Sequence, residues 1–229
     1  MKKLYPLLSV LFLISIVSGQ NWTGTYGGTE RDEGHSVKQT MDGGYIITGF
    51  TKSYGNGDED IWLIKTDSQG IEEWDQTFGG NNRDRSYSVQ QTTEGGYIII
   101  GYTESYGNGS RDVWLIKTDS QGQEEWNQTY GGTESDEGRS VEQTMDGGYI
   151  ITGFIESYGN GIRDFWLIKT DGQGNEEWNQ TYGGSGIEGS ISVQQTNDNG
   201  YILTGFQMVD LFTGDILLIK TDSQGNEEW

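Results

Sequence analysis

An all-β array of four-stranded antiparallel sheets is what this sequence predicts, and three observations predict it. The same stretch is written four times, with Thr25, Thr77, Thr129 and Thr181 opening repeats 25–76, 77–128, 129–180 and 181–229. A fixed period of this length marks a modular array. Each copy divides into short runs rich in Ile, Val, Thr and aromatic residues, separated by glycine-bearing turns, which is the pattern of strands and hairpins. Two of the four runs are apolar on both faces, so each sheet needs cover on both sides.

The chain opens on an export leader over residues 1–19. Lys2 and Lys3 supply the positive start, residues 7–17 are apolar apart from Ser9 and Ser15, and Val17-Ser18-Gly19 offers small residues for cleavage. The apolar run is shorter than the roughly 20 residues a membrane span needs, so no membrane insertion is expected after cleavage. The repeat domain then occupies residues 20–229.

Within the first copy, residues 36–40 read as a short strand after Gly34, and Asp42-Gly43-Gly44 as a turn whose glycines tolerate positive φ. Residues 45–51 form a second strand. Asn56-Gly57 signals a further hairpin, leading into a third strand over residues 61–66. Asp67-Ser68-Gln69-Gly70 turns the chain into a fourth, over residues 72–78. The fourth run is polar but keeps Trp74 and Phe78 on one face, as suits an outer edge strand protected by charge. The first run is short and small, which suits a crowded position near an axis. Four-stranded antiparallel sheets covered on both faces and repeated at this period define the blade of a β-propeller. A β-solenoid has shorter coils, and the leucine spacing of a leucine-rich array is absent.

The pattern G-G-Y-I-x-x-G-[FY], D-x-W-L-I-K-T-D-x-x-G, E-E-W-N-Q-T-Y-G-G stands at residues 147–154, 164–174 and 176–184. It resembles the repeats of secreted bacterial β-propeller-type proteins, and the likeness covers nearly all of residues 20–229. The resemblance implies a secreted, periplasmic or outer-surface protein of a bacterium. Trp22, Trp74, Trp126, Trp178 and Trp229 keep one rhythm, one residue short in the last copy. Trp22 and Trp229 therefore occupy the same slot. Either residues 21–26 complete the last blade and close a ring of four, or the array is a fragment of a larger propeller.

Composition removes several functions. The formal net charge is −21, so nucleic acid is not an expected partner, because phosphate binding needs clustered Lys and Arg. With no cysteine, disulfides and thiolate metal sites are excluded. His35 is the single histidine, and its slot holds Tyr87, Arg139 and Ile191 in the other copies. It has no companion histidine or cysteine, and Ser36 beside it does not make a triad. The paired Glu72-Glu73, Glu124-Glu125, Glu176-Glu177 and Glu227-Glu228 alternate faces, which does not suit a glycosidase pair; they read as edge protection. No catalytic residue is assigned.

Candidate sites fall in the loops before the first and third strands, which share one face of a propeller. Asp32, Asp60, Asp84, Asp112, Asp136 and Asp164 recur there, with Glu188 and Asp215 in the last copy. Calcium takes six to eight oxygen ligands, and these acids are candidate donors, although the spacing matches no EF-hand. The alternative is that each Asp caps its own turn. Tyr54, Tyr106 and Tyr158, with Asn56, Asn108 and Asn160, recur in the same loops and are candidates to stack on sugars and bond their hydroxyls. The fourth copy departs from this pattern, and its Leu211 and Phe212 are candidate contacts for a partner. The sequence thus predicts a non-catalytic module that binds protein or polysaccharide, with no required cofactor. A calcium-stabilised envelope protein and a glycan-active hydrolase or lyase are the alternatives.

Overall fold

The computed structural model describes residues 22–208 and 213–229. The predicted leader and the predicted contact at Leu211 and Phe212 lie outside the described residues. Among the described residues fifteen strands form four antiparallel sheets. The first holds β1 (Asp32–Gln39), β2 (Tyr45–Thr51), β3 (Asp60–Thr66) and β4 (Glu72–Phe78) in sequence order. The second holds β5 (Asp84–Gln91), β6 (Tyr97–Thr103), β7 (Asp112–Thr118) and β8 (Glu124–Tyr130). The third holds β9 (Asp136–Gln143), β10 (Tyr149–Ile155), β11 (Asp164–Thr170) and β12 (Glu176–Tyr182). The last has β13 (Glu188–Gln195), β14 (Tyr201–Met208) and β15 (Gly214–Thr221), with the start of a fourth strand marked by the Thr221–Glu227 bridge.

The expected bounds of β2 and β4 are met, while β1 runs over Asp32–Gln39 and so begins earlier than the expected residues 36–40. The reason is a bulge. Pairing of β1 with β2 skips His35, and pairing of β5 with β6 and of β13 with β14 skips Tyr87 and Ile191. An extra residue breaks the alternation from which a strand is read. Opposite it stands Gly49, where a Cβ would fall 1.8 Å from the Glu33 carbonyl oxygen, so only glycine fits. In the β13–β14 turn Asn199 takes φ 65 in the slot of Gly147, which has φ 86; asparagine is the side chain that tolerates this region best. In the loop after β2 the positive φ falls on Gly55, not on the predicted Asn56-Gly57.

Packing between sheets uses two distinct faces. The back of the first sheet offers Ile46, Ile61, Leu63 and Phe78 to the front of the second, which answers with Val89, Tyr97, Ile99, Trp114 and Ile116. The next two junctions repeat this with Val113 and Leu115 against Val141 and Trp166, and with Phe165 and Leu167 against Val193 and Leu203. Trp74, Trp126 and Trp178 pack their rings on Tyr97, Tyr149 and Tyr201 at centroid distances of 5.8–5.9 Å. The first strands of consecutive sheets touch one another in turn, β1 with β5, β5 with β9 and β9 with β13, as the inner strands of a propeller-like array do. The sheets are propeller-like repeats, but no closure of the first sheet on the last is seen among the described residues.

Candidate functional site: the loop rim

Loops 52–59 and 79–83 meet at one end of the sheets, as the strand order requires. Parallel bridges tie Glu59 to Arg83, Arg111 to Ser135 and Arg163 to Ile187, each crossing from one repeat to the next. The six candidate aspartates all reach this rim, but not as one cluster. They fall into pairs across the repeat junctions. A Cβ built on Gly79 would meet Asp60 Oδ1 at 1.8 Å and Asp84 Oδ2 at 2.9 Å, so both carboxylates converge on that glycine. Gly131 lies likewise between Asp112 and Asp136, and Gly183 between Asp164 and Glu188. Gly27 lies against Asp32 in the same way, with no second carboxylate beside it among the described residues.

Turn capping and acid pairing are both present. Asp60 Oδ2 accepts the Asn56 and Gly57 amides at 2.8 and 3.0 Å, and Asp84 Oδ2 accepts the Gly80 amide and the Ser105 hydroxyl at 2.9 and 2.7 Å. The opposite oxygens, Asp60 Oδ1, Asp84 Oδ1, Asp164 Oδ1 and Glu188 Oε2, are buried without a hydrogen-bond partner in the structure. Burial raises the Asp60 pKa above the usual aspartate value. The Gly57 and Asn56 amides pull it back, and the charge on Asp84 adds to the rise. Asp112 shows the same direction from burial and Asp136. Asp32 goes the other way. Its burial is outweighed by bonds from Thr51, the Gly28 amide and Ser53, which hold it at about 2. Among the described residues no group of three or more His, Cys, Asp or Glu side chains is arranged around a metal position. A cation here would have two carboxylates and would draw its remaining oxygens from carbonyls and water.

The candidate tyrosines stand on the same rim. Tyr54 and Tyr106 lean on Trp62 and Trp114 at 5.4 and 5.3 Å, and their hydroxyls donate to the Gly27 and Gly79 carbonyls. Each still shows nearly half its surface to solvent, and Tyr158 is 62% exposed. Asn56, Asn108 and Asn160 are exposed beside them. Tyr106 separates two open clefts. One, of about 550 Å³, is lined by Asn56, Asn81, Asn82 and Ser105; the other, of about 470 Å³, by Trp114, Glu124, Asn127 and Thr129.

The slot that differs in every repeat is the bulge residue, and the fold gathers it into a row along the inner strands. His35 stacks on Tyr87 at 5.2 Å, and the Arg139 guanidinium lies 3.9 Å from the centre of the Tyr87 ring. His35 Nδ1 donates to the Ser86 carbonyl at 2.6 Å, and Nε2 lies 3.5 Å from Glu33.

Two features escaped the sequence reading. Glu59 and Glu137 are buried and bridged by arginines: Glu59 by Arg85, and Glu137 by Arg111 and Arg139. The two junctions carry one ion pair with its signs exchanged, because Glu59 and Arg111 share a slot, as do Arg85 and Glu137. That compensated exchange between repeats was the available signal. The second feature corrects the edge-protection reading of the paired glutamates. Glu73, Glu125, Glu177 and Glu228 bond the ammonium groups of Lys65, Lys117, Lys169 and Lys220 at 2.7–2.9 Å. These lysines are buried or nearly so, so one glutamate of each pair is a partner for a buried charge.

No family model matches the chain, and no curated protein matches it. Among solved structures, the GH43 endo-arabinanase from Bacillus licheniformis aligns over 89% of this chain and 100% of its own, with a TM-score of 0.34 and 11% identity. The likeness is a distant one. No helix among the described residues is long and apolar enough to cross a membrane.

Proposed function

We propose that the protein is a non-catalytic, exported repeat module of a bacterial surface that binds polysaccharide through its loop rim. The supporting observation is Tyr106, held on Trp114 yet half exposed between two open clefts lined by asparagine, serine, threonine and glutamate. A fixed aromatic face with amides and hydroxyls beside it matches the two-sided chemistry of a sugar ring. Repetition at Tyr54 and Tyr158 suits a polymer, whose units engage several weak sites together. A glycan array probed with the intact protein and with Tyr106→Ala tests this. Binding should fall roughly tenfold in the variant, about 1.4 kcal/mol. Binding only to proteins, or turnover of a bound glycan, would replace the reading.

The carboxylate pairs favour a second reading, in which calcium stabilises the array. Buried like charges side by side are relieved by a proton or a cation, and Asp60, Asp84, Asp164 and Glu188 each keep one buried oxygen without a hydrogen-bond partner. The melting temperature should then rise in millimolar calcium over its value in EDTA, and equal values discard the metal.

A further inference from the structure

Among the described residues three junctions join the back of one sheet to the front of the next, and the same two faces stand uncovered on the first and last sheets. On the front of the first sheet Val37 is 59% exposed, whereas Val89, Val141 and Val193, in the same slot, are buried. On the back of the last sheet Ile216 is 87% exposed, whereas Ile61, Val113 and Phe165 in its slot are 0–1% exposed. Leu218 is 47% exposed where Leu63, Leu115 and Leu167 are fully buried. The two open surfaces are therefore the two halves of a junction the molecule already makes three times.

Local shape agrees. At the middle junction Ile100 and Val113 press over Gly138, where a Cβ would meet their methyl-bearing carbons at 2.5 and 3.0 Å. Gly34 occupies that slot in the first sheet. A cavity of about 80 Å³ lies over it, lined by Ile47, Gly49, Trp62 and Ile64. Ile216 is the counterpart of Val113, a knob without a hole at one end facing a hole without a knob at the other.

The strand inventory agrees as well. Residues 22–26 lie on the front of the first sheet as the fourth strand of a preceding repeat would. Trp22 packs on Tyr45 at 5.8 Å, and the Tyr26 hydroxyl donates to the Gly70 carbonyl at 2.6 Å, as Tyr130 and Tyr182 donate to Gly174 and Gly225. Among the described residues, that strand of the last sheet is represented by residues 227–229, where the Lys220 amide donates to the Trp229 carbonyl. By the register of β11 with β12, Ile216 would face Tyr26 and Leu217 would face Thr25. Trp22 and Trp229 claim one place, so one of them gives way when the ends meet.

We propose that the front of the first sheet and the back of the last form a head-to-tail interface with a second copy of this chain, residues 23–26 of one copy extending the edge of β15 in the other. Such a contact is heterologous, and its two halves can be disabled separately. The full chain, expressed with its leader and recovered in mature form, should run in light-scattering chromatography at about twice the single-chain mass or a higher multiple. Val37→Asp and Ile216→Asp should each run as single chains, and an equimolar mixture of the two should return a dimer and nothing larger. Both residues are exposed, so a circular dichroism spectrum like that of the parent is expected of each variant. Because the chain has no cysteine, Val37→Cys mixed with Ile216→Cys gives an independent readout: a disulfide-linked heterodimer that neither variant forms alone. A single-chain mass for the parent at every concentration would overturn the proposal and leave further repeats of the same kind as the cover. Failure of the two Asp variants to complement, together with no crosslink, would overturn it too.

Discussion

The two rims of the array handle paired carboxylates in opposite ways. At the turn rim, Lys65 is 3% exposed and sits between Asp42 and Glu73 at 2.9 and 2.7 Å, while also donating to the Thr66 carbonyl. Lys169 and Lys220 repeat the arrangement with Asp146 and Glu177, and with Asp198 and Glu228. Burial opposes the charge on Lys65, but its bonds to Glu73 and Asp42 prevail and its pKa is raised. At the loop rim the acids are also paired, yet among the described residues no lysine or arginine bridges Asp60 to Asp84 or Asp112 to Asp136. Where this fold makes two acids structural, it places an ammonium between them. At the loop rim backbone amides and a serine hydroxyl hold the carboxylates instead, and burial together with the facing acid raises the pKa of Asp60 and of Asp112.

Removing the internal cation should therefore cost the most. Lys169→Met leaves Asp146 and Glu177 facing each other without their ammonium and removes a donor to the Thr170 carbonyl. The ammonium is buried but Asp146 and Glu177 are about half exposed, so the loss is chiefly that of its charge-assisted hydrogen bonds, including the one to the buried Thr170 carbonyl: about 2–3 kcal/mol, or roughly 6 °C in melting temperature for a chain this size. Thermal unfolding followed by circular dichroism measures it. A shift of only a degree or two would mean that the turn-rim triads are surface ion pairs in practice.

Much of this architecture was legible because each repeat states its polarity plainly. Two-sided apolar runs gave β2 and β3, and a polar run with Trp74 and Phe78 in alternate places gave β4. The inner strand was read too short, since the bulge at His35 breaks the alternation that marks a strand. Charges within strands were misread for a different reason. Glu73 looks solvated beside Glu72, and only the neighbouring strand shows that it meets Lys65. The site was half legible: repetition placed Tyr54, Asn56 and Asp60 on one rim, but the pairing of Asp60 with Asp84 joins one repeat to the next and has no trace in local spacing. The sign-exchanged pairs, Glu59 with Arg85 and Arg111 with Glu137, did leave a trace, as two slots changing together.

The loop rim should yield the smaller and opposite effect. Asn in place of Asp60 and of Asp112 keeps an oxygen for the amides of the turn and offers an NH₂ to Asp84 or Asp136 in place of a second charge. At neutral pH Asp60→Asn/Asp112→Asn should therefore be more stable than the parent in EDTA, by about 1 kcal/mol per site, and any rise in melting temperature with calcium should shrink. The pH dependence fixes the sign. A carboxyl raised above its unfolded value favours the fold below the unfolded pKa, and that support is lost as pH climbs through the folded value. The parent regains it on acidification, so the advantage of the double variant should fade between neutral pH and pH of about 4. The turn rim runs the other way. Thr40 and Lys65 hold Asp42 below the usual range, and Thr196 and Lys220 do so for Asp198; their support is present above the unfolded pKa and is lost as pH falls further. Urea unfolding of both proteins across this range separates the two rims. A stability difference that stays constant with pH would show that Asp60 and Asp112 are not the groups taking up protons.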